Sequence, residues 1–213
     1  MKRPRLLLGD DHAIILDGLR RILEPHCDIV GSVQDGRALV AAAQELHPDV
    51  VVADISMPLL NGIEAARQIL KAQPRVKIVF LTMHPDVTYA TEAFRAGASG
   101  YVLKNSAASE LVTAIQEVLK GRTYLTPLVA KDVIASFLEV PASPEKLPPA
   151  LTPRQREILQ LVAEGRAAKD IAAILNISPR TVEFHKYRIM EVLGLRTTAE
   201  LTQYAIKHGI VSV

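Results

Sequence analysis

Apolar and polar positions along the first 120 residues repeat one unit five times. Short, mostly apolar runs at residues 5–9, 28–33, 50–54, 76–82 and 100–103 are each followed by a stretch whose apolar residues recur every three or four positions. Such runs suit strands buried on both faces, and the 3.6-residue rhythm suits helices laid against them. Helices are predicted at 13–23, 36–46, 63–72, 87–96 and 109–119. In the first of these, Ile14, Ile15, Leu19, Ile22 and Leu23 form the expected buried stripe. Five β-then-α units predict a parallel sheet with helices on both faces, an α/β fold of the flavodoxin-like, doubly wound (βα)5 kind.

Beyond residue 121 the rhythm changes. Residues 122–126 read as the exit from the fifth helix. Thr126-Pro127 reads as an N-cap followed by proline at the first helical position, and it opens a short amphipathic helix near 127–138. The apolar face of that helix, with Val129, Val133, Ile134, Phe137 and Leu138, needs a partner: the first domain, the second, or another subunit. Pro141, Pro144, Pro148 and Pro149 make residues 140–150 an extended, semi-rigid tether. From residue 151 onward only helical patterns occur, so the expected domains are 1–121 and 151–213, with 122–150 as linker.

In the second domain, Thr152, Pro153 and Gln155 have capping-box spacing at the start of a helix that ends at Gly165. A short helix at 167–175, a turn at 176–178 and a longer helix capped by Ser178 and Pro179 follow, and Gly194 stops the longer one. A second capping box at Thr197–Glu200 opens the last helix. This is an all-α, four-helix domain containing a helix-turn-helix. If Val182, Ile189 and Leu193 face its core, then Arg180, Glu183, Phe184, Tyr187 and Arg188 point away. The N-terminal part of such a helix enters the major groove of DNA. Glu183 suits a cytosine amino group and Phe184 a thymine methyl. Lys169, Thr181, Lys186 and Arg188 suit phosphates. His185 reads as a packing residue.

Composition narrows the class. The chain has 213 residues, 49% of them hydrophobic, enough for real cores. No run of ~18 apolar residues predicts a membrane span. The N-terminal basic residues precede only three leucines, too few for a signal peptide. The one cysteine, Cys27, excludes an internal disulfide framework and reads as a small buried group. A cytoplasmic protein without membrane contact is expected. Residues 1–121 carry 13 Lys/Arg against 14 Asp/Glu, net −1, while residues 151–213 carry 9 against 6, net +3. The basic end is compatible with nucleic acid.

The strand ends carry the chemistry. Asp10-Asp11, Asp54, Thr82 and Lys104 each lie at or just past the end of a predicted strand, and a parallel sheet brings those ends to one edge. Clustered carboxylates repel unless a cation is present, and oxygen donors that leave room for water and phosphate suit Mg2+. Asp54 can then attack a phosphoryl group to form an acyl phosphate, with Lys104 neutralising charge on the phosphoryl oxygens. Met57-Pro58…Gly62 after Asp54 reads as a rigid turn with Gly62 at positive φ.

Asp10-Asp11, Asp54 followed by Met57-Pro58…Gly62, Thr82, Gly97-Ala98…Gly100-Tyr101 and Lys104 together resemble the receiver domain of bacterial two-component response regulators. Residues Leu151-Thr152-Pro153-Arg154, Lys169-Asp170-Ile171-Ala172 and Ile177-Ser178-Pro179-Arg180-Thr181-Val182-Glu183 resemble the LuxR-type DNA-binding domain. The whole chain looks like a NarL/FixJ-type response regulator. That resemblance implies Asp54 as phosphoacceptor and Mg2+ on Asp10, Asp11, Asp54 and the Ser56 main chain. It also implies Thr82 and Tyr101 as the pair that moves on phosphorylation: the Thr82 hydroxyl turns to the phosphate and the Tyr101 ring fills the vacated space. A sensor histidine kinase, double-stranded promoter DNA and a second copy of the phosphorylated chain are the implied partners.

Ser56 and His84 hold the two positions that border the path of the attacking water in receivers, so they should tune the phosphate lifetime. The sequence departs from the common patterns at Asn105, where many receivers have Pro, and at Glu191-Val192, where related domains often carry basic residues. Two rival readings are weaker. A Mg2+-dependent phosphohydrolase needs a general acid two residues after the nucleophile, where Ser56 stands, and a cap for which there is no insertion. A DNA-binding module that ignores phosphate has no use for the acidic pair, Thr82 and Lys104. The chain is therefore expected not to be an enzyme beyond its own phosphotransfer and dephosphorylation.

Overall fold

A computed structural model describes residues 3–106, 108–138 and 151–211. The expected tether at 140–150 lies outside the described residues. The chain divides into two compact units, the first α/β and the second all-α.

In the first unit β1 (Arg5–Gly9), α1 (Ala13–Leu23), β2 (Asp28–Val33), α2 (Gly36–Leu46), β3 (Val50–Ala53) and α3 (Gly62–Ala72) are followed by β4 (Lys77–Thr82), α4 (Val87–Arg95), β5 (Gly100–Leu103) and α5 (Ala108–Leu119). The strands run parallel in the order β2-β1-β3-β4-β5, the flavodoxin-like winding. Alternation along each strand sorts the side chains. Leu6, Leu8, Val50, Val52, Val79, Leu81 and Val102 form one core with Leu16, Leu19 and Leu23 of α1 and Leu111, Ile115 and Val118 of α5. Leu7, Val51, Ile78, Phe80 and Tyr101 point the other way and are equally buried. Each such leucine or isoleucine contributes about 1.5–3 kcal/mol by leaving water.

Three expectations change here. Ile14 is 85% exposed and Leu16 is buried in its place, while Ile15, Leu19, Ile22 and Leu23 keep the core side expected of them. Residues Tyr124–Leu125 are a sixth strand, β6, parallel to β5, not a plain exit from α5. Gly62 does not have positive φ; the left-handed residue of that loop is Leu59, at φ 66°. Glycine is required at 62 for space, because a Cβ there would lie 2.0 Å from the carbonyl oxygen of Asp54.

Helix α6 (Pro127–Leu138) begins at its proline as expected, and it packs against α4 of the same unit. Val129 and Val133 are buried, whereas Ile134, counted on the apolar face, is exposed. Cys27 is buried, and that burial pushes its thiol pKa up. A disulfide reagent at neutral pH should therefore label the folded chain slowly and the denatured chain at once; rapid, complete labelling of the native protein would contradict this placement.

The second unit comprises α7 (Pro153–Ala163), α8 (Ala168–Leu175), α9 (Pro179–Leu193) and α10 (Thr198–Lys207). Thr152 and Gln155 close a complete capping box on α7. At α10 the box is only half made. Thr197 accepts from the Glu200 N–H, but the Glu200 carboxylate turns to the Arg196 N–H at 2.7 Å. Ile158, Leu161, Ile171, Leu175, Val182, Ile189 and Leu201 fill the core. Arg154 donates to the Leu175 carbonyl at 2.8 Å and to Glu157 at 3.0 Å, fastening α7 to the end of α8.

Candidate functional site

Because the sheet is parallel throughout, the carboxyl ends of β1, β3, β4 and β5 meet at one edge. Asp54 follows β3 directly, and its N–H still donates to the Gly9 carbonyl at 2.8 Å, which holds it beside the end of β1. Its side chain is buried, with Oδ1 accepting from the Ile55 N–H at 2.6 Å. Lys104 Nζ lies 2.7 Å from Asp54 Oδ2 and 2.7 Å from Asp10 Oδ2, so one ammonium bridges two buried carboxylates. Burial raises the Asp54 pKa above the usual carboxylate range; Lys104 opposes this and the neighbouring Asp10 reinforces it. Burial works against the Lys104 ammonium, but Asp10 and Asp54 outweigh it and hold its pKa above the ordinary lysine value.

Asp11 and His12 stand at the mouth. Asp10, Asp11 and His12 each bring a potential ligand atom to within 4.8 Å of the others. His12 Nδ1 is 2.8 Å from Asp11 Oδ1, and its ring is mostly exposed. Asp10 and Asp11 offer carboxylate oxygens, donors that fit a hard divalent cation.

Thr82, Tyr101 and Ser56 form one network through His84. Thr82 is fully buried, and its Oγ1 accepts from the His84 N–H at 3.3 Å. Tyr101 is also fully buried, and its hydroxyl donates to the His84 carbonyl at 2.7 Å. Burial raises the Tyr101 pKa well beyond the ordinary phenol value, so it stays a neutral donor. Ser56 Oγ is 2.9 Å from His84 Nε2, and the His84 ring stacks on Tyr89 with centroids 4.2 Å apart.

Two members of this network were missed from sequence. Tyr89 carries no motif; only its position, five residues after His84 on a short helix, hints at the stack. Thr126 was read as a cap, but its hydroxyl is engaged by the Leu103 N–H at 3.3 Å and by Glu110 at 2.8 Å.

In the second unit Val182 and Ile189 are buried and Leu193 is half-buried. Arg180, Glu183, Phe184, Tyr187 and Arg188 are exposed on the opposite face of α9, with Phe184 at 60% and Tyr187 at 67%. Large aromatics that open to water, on a helix whose other side is filled, are positioned for a partner. Ser178 caps α9 by accepting from the Thr181 N–H at 3.1 Å, and the two hydroxyls pair at 2.8 Å. Lys169 is exposed in the first turn of α8, and Lys186 and His185 are half-buried flanks of α9. The Arg188 guanidinium is paired with Glu191 at 2.6 Å.

Comparison with known proteins agrees with both halves. The family model described as response regulator receiver domain matches residues 6–116, and that of bacterial regulatory proteins, luxR family, matches residues 149–205. The transcriptional regulatory protein MctR of Rhizobium johnstonii is 37% identical over 99% of this chain and 98% of its own length. The response regulator UvrY of Escherichia coli K12 is 35% identical over 96% of this chain and 94% of its own. A structure of RcsB from Salmonella enterica serovar Typhimurium, bound to promoter rprA in the presence of phosphomimetic BeF3-, is 29% identical. It covers 94% of this chain and 97% of that one, with a TM-score of 0.57. With both units matched and relatives this similar along nearly the full length, the chain belongs to the NarL/FixJ-type response regulators, DNA-binding transcription regulators in which a receiver domain is joined to a LuxR-type helix-turn-helix domain.

Proposed function

We propose that Asp54 is the phosphoacceptor of a receiver spanning 1–121, linked through 122–150 to a DNA-binding domain at 151–213. The observation that carries this is the Lys104 ammonium bridging Asp10 and Asp54 at 2.7 Å each. A lysine so placed holds Asp54 ready and neutralises charge on an incoming phosphoryl group. An Asp54 carboxylate oxygen attacks phosphorus, the P–O bond forms, and the bond to the imidazole nitrogen of a histidine kinase's phosphohistidine breaks. Asp10, Asp11, Asp54 and the Ser56 main-chain carbonyl suit Mg2+, which when bound would offset charge on the phosphoryl oxygens. The chemistry ends with this protein's own phosphorylation and dephosphorylation, and it takes place in the cytoplasm.

Thr82 and Tyr101 carry the response. A Thr82 hydroxyl that turns to the phosphate gives up the His84 N–H, and Tyr101 is already seated on the His84 carbonyl to follow that loop. Ser56 and His84 border the approach of water, and their mutual hydrogen bond supports a role in setting phosphate lifetime. The phosphorylated form dimerises and binds promoter DNA. Arg180, Glu183, Phe184 and Tyr187 face the major groove, and Lys169, Thr181, Lys186 and Arg188 serve phosphates. RcsB, solved on a promoter with a phosphomimetic, is a relative for which both states meet.

The test is a beryllofluoride or acetyl-phosphate titration with and without Mg2+, read by the intrinsic tyrosine fluorescence and by DNA affinity. Saturable, Mg2+-dependent binding that raises DNA affinity is expected. Thr82→Ala should still be phosphorylated but lose most of the gain; an unaltered gain in that variant removes Thr82 from the mechanism.

A further inference from the structure

Helix α6 is fastened at both ends to elements that carry the switch. At its start Thr126 is buried. The Thr126 N–H donates to the Tyr101 carbonyl at 3.0 Å, and its own carbonyl accepts from the Val129 N–H at 3.1 Å. Its hydroxyl accepts from the Leu103 N–H and donates to Glu110. Thr126 is thus pinned to β5 and α5 by three hydrogen bonds, and a fourth joins it to the first turn of α6. At the far end Ser136 Oγ lies 3.0 Å from Thr91 Oγ1 of α4. The Ser136 hydrogen is committed to the Val133 carbonyl at 2.8 Å, so Thr91 is the donor of that pair.

Helix α4 in turn hangs from His84. The His84 ring stacks on Tyr89 of α4, its carbonyl holds Tyr101, and its N–H is held by Thr82. When Thr82 lets go, the displacement passes to α4, while Tyr101 and Leu103 keep Thr126 on β5. Helix α6 cannot follow α4 and β5 at once. At the Ser136 end one hydroxyl pair and side-chain packing hold α6 to α4, whereas directional hydrogen bonds to β5 and α5 hold Thr126, so the Ser136 end is the one that gives way.

We propose that α6 is the output arm of the receiver. It rests on α4 while Asp54 is unmodified, and it pivots at Thr126 away from α4 when Asp54 carries a phosphoryl group, moving the chain that leads to the DNA-binding domain. This rests on the role of Asp54 given above. It assigns Thr91 and Ser136 as a latch and Thr126 as the hinge anchor, positioning residues that touch neither phosphate nor DNA.

The full chain carrying Thr91→Cys and Ser136→Cys provides the test, with Cys27 left in its buried place. Oxidation ties α6 to α4, and reductant frees it. Loading with beryllofluoride and Mg2+ is followed by fluorine NMR. DNA affinity is measured on a duplex selected from a random pool by the loaded wild-type chain. The reduced protein should gain affinity on loading, and the oxidised protein should gain less than about twofold. Ser136→Ala alone, which removes the Thr91 hydrogen bond together with the one to the Val133 carbonyl inside α6, should raise the affinity of the unloaded chain about fivefold and narrow the gap by the same factor. In the wild type, hydrogen exchange over residues 131–138 should quicken on loading. If the oxidised protein responds fully, or exchange in 131–138 stays unchanged on loading, α6 is not the output arm. If beryllofluoride fails to load the wild type, the role of Asp54 falls and the arm falls with it; loading with α6 unmoved overturns the arm alone.

Discussion

Asp54→Asn reduces phosphoryl uptake from radiolabelled acetyl phosphate to background while leaving the fold intact. The amide keeps the shape of the carboxylate, so the Ile55 N–H at 2.6 Å still finds an acceptor. What disappears is the anionic nucleophile, and an amide oxygen does not replace it. The effect on stability has a definite sign. Burial raises the Asp54 pKa above its unfolded value, so the stabilising share of this group is present in acid and lost as pH rises through the folded pKa. At neutral pH the ionised side chain is a net cost that Lys104 and, less, the Ile55 N–H offset in part. The Asn variant, in which Lys104 keeps Asp10 at 2.7 Å, should therefore melt at the same temperature as the wild type or higher. Full labelling of a folded Asp54→Asn protein would move the phosphoacceptor elsewhere.

The second large effect separates reading from anchoring on DNA. A single ~60-residue domain with one helix in the groove contacts a half-site and binds weakly, so a two-fold pair with half-sites ~10 bp apart is the natural arrangement. Lys169 is exposed at the start of α8, and Glu183 and Tyr187 are exposed on α9. Lys169→Ala should weaken selected and random DNA about equally and flatten the salt dependence by ~1 in slope. Glu183→Ala or Tyr187→Ala should instead narrow the gap between the two DNAs by ~1–3 kcal/mol. Arg188 should count for less than Lys169, because Glu191 holds its guanidinium at 2.6 Å and DNA must displace that partner. Binding isotherms on both DNAs at several salt concentrations decide it. Specificity lost in Lys169→Ala but kept in Glu183→Ala would show that α9 is docked with a different face inward.

Much of this protein was legible in its sequence, for reasons that are local. Buried parallel strands must be nearly all apolar, so Val50–Ala53 and Lys77–Thr82 announced themselves, and a parallel sheet obliges Asp10, Asp54, Thr82 and Lys104 to share an edge. Capping is local, so Thr152 with Gln155 and Ser178 before Pro179 were readable as helix starts. The second core was readable too, since Val182 and Ile189 leave α9 only one face to present.

Only the tertiary structure decided what depends on neighbours distant in the chain. In α1 the isoleucines at 14 and 15 and the leucine at 16 can all start a stripe, and packing on β1 and α5 chose Leu16. Two residues are too few to show a strand pattern, and Tyr124–Leu125 became β6 because β5 offered an open edge. The hydroxyl of Thr126 had a helix to cap, but buried beside β5 and α5 it met the Leu103 N–H and Glu110 first. The partner of α6 was equally beyond periodicity: an amphipathic pattern states that a face must be covered, and only the packed chain shows that α4, with Thr91 aimed at Ser136, is what covers it.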